Sequence, residues 1–157
     1  MNGPALSAAA VALHVIASTW WVGGMLFAYW ILRPAAGAME GPDRLKLWGR
    51  VFDLFFKTVW VAVVLIPATG YWMVNEIYRG FESAGQHVHA MHILGWIMIT
   101  LFAWLYFKPY ARFKDQLAAD DFKGAAASLG TIRRIVATNS TLGAGTVLIA
   151  SSGAYWG

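Results

Sequence analysis

Four stretches of the chain, residues 6–32, 51–75, 87–107 and 135–156, each run for more than twenty residues with few charges. An α-helix needs roughly 20 apolar residues to cross the hydrocarbon core of a bilayer. No water is present there to pair peptide groups, so a spanning segment must close its own hydrogen bonds, as a helix does. The pattern predicts an all-α integral membrane protein, a four-helix bundle that takes up the whole chain, 1–157, as a single domain. Charged residues make up 13% of the chain, against about 25% in a typical soluble domain, which argues against a soluble module. Cysteine is absent, which excludes a disulfide framework, a thiolate metal site and a c-type haem attachment.

The cations set the orientation. The connectors are 33–50, 76–86 and 108–134, and eleven of the 12 Lys and Arg residues fall in or beside the first and third. Only Arg79 lies in the second. By the positive-inside rule the first and third connectors are cytoplasmic and both termini face outward. The net charge of +4 then reflects topology, and no nucleic-acid partner is expected. MNGPALSAAA has no basic n-region, so the first apolar run reads as a retained helix of a multi-pass protein of the bacterial inner membrane. Pro34 is expected to stop the first helix and Pro67 to interrupt the second. Trp48 and Trp72 are expected at opposite interfaces. Asp120 is expected to cap a helix through 121–130 that runs on into the fourth span.

The third span opens HVHAMHILGW, three histidines in six residues. His92 is five residues into that span, and His14 lies a similar depth into the first, on the order of 10 Å from the outer boundary at the helical rise. The first and third spans run in the same direction, so the two imidazoles can meet in the outer half of the bundle. Ionisable groups in hydrocarbon usually mark a site, which makes His14 and His92 candidate ligands of one metal centre, a haem iron first. His89, three residues before His92, shares its face and is an alternative ligand. His87 is expected to be solvated at the interface.

A porphyrin needs small residues where the ring passes, and Gly23, Gly24, Gly70, Gly95, Gly143 and Gly145 supply gaps. Gly95 is the strongest of them, one turn from His92. Trp20, Trp21, Trp96 and Phe27 would wall the ring, and Arg79 is the cation available to propionates. The same glycines and aromatics also suit plain helix packing. Copper is the rival cofactor: His89, Met91 and His92 mix imidazole with thioether, which suits Cu(I). Asp53 and Lys57, four apart, are expected to form an ion pair, and Thr138, Asn139 and Ser140 to bond between helices. No Ser/His/Asp triad, phosphate loop or paired-carboxylate site is evident.

LHVIASTWWVGGMLFAYWILRPA in the first span, HAMHILGW in the third and NSTLGAGTVLIASSGAYW in the fourth resemble the copper-resistance-D (CopD-like) membrane family. That resemblance implies copper handling. The four-helix pattern is also similar to the HemJ-like protoporphyrinogen oxidases, in which a first-helix histidine holds haem b, and His14 matches that ligand. Those proteins carry a lysine shortly after the third-helix histidine, whereas here Ile93, Leu94 and Gly95 follow His92. The departure speaks against that oxidation and for a bis-histidine haem b, saturated at iron, which moves electrons.

The leading expectation is therefore a membrane haem b protein held by His14 and His92, an electron-transfer or oxidoreductase subunit near the periplasmic face. Its partners would be the lipid bilayer, a redox protein or quinone, and a second copy or a larger complex. The alternative is a copper uptake or tolerance protein. A cofactor-free accessory subunit is the third reading.

Overall fold

The computed structural model describes residues 3–156. Met1, Asn2 and Gly157, the ends of the expected domain, lie outside the described residues. Four helices long and apolar enough to cross a membrane account for nearly all of it: α1 (Gly3–Ala38), α2 (Gly41–Glu76), α3 (Gln86–Ala118) and α4 (Phe122–Ser152). Among the described residues there is no strand. The four-span, all-α reading holds.

Each helix is longer than the apolar run that announced it, and most of the excess lies at the end of the bundle where Lys and Arg gather, the basic end. α2 starts at Gly41, ten residues before its apolar run, with Pro42 in its first turn, where the missing N–H costs nothing. α4 starts at Phe122, and its cap is Asp121, whose Oδ1 accepts the Gly124 N–H at 2.9 Å. Asp120 was the expected cap. It instead takes a left-handed conformation, φ 53°, at the end of α3, a position Asp tolerates better than most residues.

Pro34 does not stop α1. The helix widens into a π turn at Ala28–Leu32 and continues. α3 does the same at Tyr106–Tyr110, around Pro109. A proline inside a helix withholds one i→i−4 hydrogen bond and pushes its ring at the carbonyl a turn earlier. A π turn makes room for that ring without ending the helix.

α1 packs mainly against α2 and α3 against α4, and α4 also touches α1 and α2. Toward the basic end the interior is aromatic. Phe56 stacks on Phe52 at 5.1 Å and meets Tyr110 edge-on at 4.9 Å, while Phe102 meets Phe56 at 5.6 Å and Trp60 at 5.2 Å. Trp48, expected at an interface, is only 4% exposed and leans on Phe52. Its register on α2 points it inward with Leu45 and Phe52. The Asp53 carboxylate accepts the Tyr110 hydroxyl at 2.5 Å, where Lys57 had been the expected partner. Asn139 of α4 donates to the Met98 carbonyl of α3 at 3.2 Å, an interhelical bond as expected. Thr138 and Ser140 donate back to their own helix.

Candidate metal-handling site at the histidine end

The other end of the bundle is built differently. On α1, His14 stands in line with the buried Ala10, Ala17 and Trp21, spacings of three, four and seven that share one helical face. His14 therefore points into the bundle, half-buried, against α2. Gly70 leaves room for its ring there: a Cβ at that position would stand 3.4 Å from His14 Cε1.

The contact with α2 fixes the chemistry of that imidazole. His14 Nδ1 lies 2.9 Å from Thr69 Oγ1. The Thr69 hydroxyl has one proton, and it goes to the Leu65 carbonyl at 2.5 Å. Toward His14 the oxygen is then placed to accept from Nδ1–H, and in that neutral tautomer Nε2 would keep a free lone pair. A metal-ligating histidine is commonly held this way, one ring nitrogen donating to an anchor while the other faces the metal. Thr69 is a part of the site that sequence reasoning missed. Nothing in the local pattern said which helix face would meet His14.

His92 on α3 is also half-buried. Its ring meets Phe81 at 5.1 Å and Tyr71 at 5.4 Å, both edge-on, and His89 lies 5.7 Å from the same Phe81. These aromatic partners too were absent from the sequence reading. Thr69 and Tyr71 are two residues apart, about 200° around the helix, so His14 and His92 approach α2 on different faces. The structure thus brings both imidazoles to one level of α2, each with its own partners. Among the described residues no group of three or more His, Asp and Glu is gathered as a metal cluster.

The remaining candidates divide. Gly95 falls in register with buried Val88, Met98 and Phe102, yet nothing lies within 4 Å of where its Cβ would be. Met91, four residues earlier, is half-buried. Trp96 (46% exposed), Trp20 and Phe27 face outward toward lipid, whereas Trp21 is inside and meets Phe102 at 6.0 Å. Trp20 and Phe27 border an apolar groove of about 810 Å³ between α1 and α2, away from the histidines and floored by Gly23, Gly24 and Phe55. Gly143 is filled by Val22 and Met98. His87, expected in water, tucks into the hollow above Gly153. Arg79 is exposed on the α2–α3 turn with φ 58°.

Residues 49–152 match the family model described as copper resistance protein D. That match covers well over half of the chain. The chain belongs to the copper resistance protein D family. It is accordingly a multi-pass protein of the bacterial inner membrane. The matched segment takes in α2 from Gly49, all of α3 with His87, His89 and His92, and α4 to Ser152. His14 lies outside it. No curated protein and no solved structure matches the chain. The copper-resistance family gives the α3 histidines and Met91 a context that composition alone could not.

Proposed function

We propose that this chain handles copper as its cargo, in uptake or tolerance, at the histidine end of the bundle, with that end facing outward. His89, Met91 and His92 form the approach along α3, and His14 is the deeper station. The observation that supports the reading is the His14–Thr69–Leu65 chain, which anchors Nδ1 and, in the neutral imidazole, would leave Nε2 as the ligand atom inside the membrane. Imidazole nitrogen and thioether sulfur are ligands that suit copper, Cu(I) in particular for sulfur.

The test is metal analysis of protein purified in detergent and exposed to Cu(I) under reducing conditions. Wild type is expected to retain copper near stoichiometry, and His14→Ala and His92→Ala to lose most of it. A wild-type protein that retains no copper above a zinc or buffer control overturns the reading.

A haem b held by His14 and His92, passing electrons to a redox protein or quinone, is the second reading. Its favouring observation is the open space at Gly95 beside an inward-facing histidine. The fit is partial. His14 presents a ligand atom, while the His92 ring sits against Tyr71 and Phe81 on another face of α2. Trp96 faces lipid, and Arg79 is left as an exposed cation for propionates. A low-spin visible spectrum, sharpened on reduction and lost in both histidine variants, would favour haem over copper. Colourless protein removes it.

A further inference from the structure

The basic end of the bundle holds a second candidate site, unrelated to metal. A cleft of about 300 Å³ lies between the first turns of α2 and α4, lined by Arg44, Lys123 and Arg133 above Leu45 and Leu129. Both leucines are buried, so the floor is apolar and the walls are cationic. Lys46 lies over the Phe122 ring at the same margin, 5.8 Å from its centre.

Topology alone would spread these cations along the interface, since the positive-inside rule asks only that they be on one side. Here they converge. Arg133 feels the charges of both Arg33 and Arg44, so three helices, α1, α2 and α4, bring like charges to one place. Its Nε is shielded from solvent and has no hydrogen-bond partner. A buried guanidinium N–H without an acceptor is costly, and like charges at close range add to that cost. Among the described residues no carboxylate lines the cleft to relieve it: Asp121 caps α4 through Gly124 N, and Glu40 and Asp43 are exposed outside it.

We propose that this cleft binds a phosphate-bearing anion, the headgroup of an anionic phospholipid of the adjoining leaflet, with the phosphate between Arg44, Lys123 and Arg133. The phosphate would face the guanidinium of Arg133 in the cleft, and an arginine fork suits phosphate oxygens well. The leucine floor suits the glycerol and the first acyl carbons. Basic pockets between membrane helices bind such headgroups elsewhere.

Native mass spectrometry of the full chain, with phosphatidylglycerol titrated against phosphatidylcholine, tests this. Wild type is expected to retain phosphatidylglycerol selectively. Arg44→Gln/Arg133→Gln should lose about tenfold in apparent affinity, and the exposed Lys123→Gln, which leaves the packing untouched, several-fold. Arg112→Gln/Lys114→Gln, two cations outside the cleft, is the control and should bind as wild type does. Equal loss in control and cleft variants means diffuse surface attraction and overturns the site, as does no loss in either. If the double variant fails to fold, Lys123→Gln alone decides. Inorganic phosphate is the second arm. Displacement of the lipid by millimolar phosphate, sensitive to the same variants, keeps the anion site and makes free phosphate its ligand. No displacement keeps the headgroup.

Discussion

The two halves of the bundle are packed by opposite means. Toward the basic end, rings from α2 and α3 fill the interior: Phe52, Phe56, Trp60, Phe102, Tyr106 and Tyr110 touch in a continuous set. Toward the histidine end the side chains are smaller: Ala10, Thr69, Val74 and Val88 are buried, while His14, Gly70, Met91 and Gly95 are only half-buried. In lipid, helices associate through close packing and hydrogen bonds, because tails are as apolar as the side chains they would displace. One half therefore works as a clamp that holds four helices in register. The other half is built from smaller, partly exposed side chains, which is what the proposed copper passage would use.

That contrast can be broken most severely at Phe56. It is 3% exposed and sits at the centre of the ring set, so Phe56→Ala should cost about 3 kcal/mol, the low end of the range for such truncations. Reversible unfolding in mixed micelles measures it, and a loss below about 1 kcal/mol would mean the rings do not clamp the bundle.

Thr69→Val comes next and acts on the loose half. It keeps the shape of the side chain and removes the acceptor that fixes His14. Copper affinity should fall about 10- to 100-fold, as for loss of other groups that orient a metal ligand, with the helical content unchanged. Unaltered copper retention would show that Nδ1 needs no anchor, and the argument for a poised Nε2 fails with it.

A paired substitution compares a filled position with an open one. Gly143→Ala would place a Cβ 2.8 Å from Val22 Cγ2, an overpacking that should cost about 1–3 kcal/mol. Gly95→Ala meets nothing within 4 Å and should change stability by less than about 0.5 kcal/mol. Equal effects at the two positions would erase the difference in packing on which the contrast rests.

The spans were legible because lipid imposes a length and a composition on anything that crosses it, and those survive without knowledge of neighbours. The helical extensions at the basic end were less so. Arg44, Lys46 and Arg50 break the apolar run at the start of α2, yet a helix outside the bilayer needs only a buried stripe, here Leu45, Trp48 and Phe52. His14 was legible as an ionisable group in hydrocarbon. Its anchor was not, since Thr69 reads as one more helix threonine until the rotation of α2 against α1 is known. His92 shows the same gap from the other side: an expected depth does not say which face of α2 a ring will meet. Asp53 was assigned to Lys57 on spacing alone, and Tyr110, 57 residues away, holds it instead.

The two widened turns, Ala28–Leu32 in α1 and Tyr106–Tyr110 in α3, have a consequence for how this scaffold tolerates length changes. Each accommodates one residue more than a regular coil of the same rise. Deleting a single residue there would tighten the turn and leave both flanks aimed as before. A deletion anywhere else in either rod would swing everything beyond it by about 100°. Within α1 and α3 these turns are where the rod can be shortened without re-aiming what it presents at either surface.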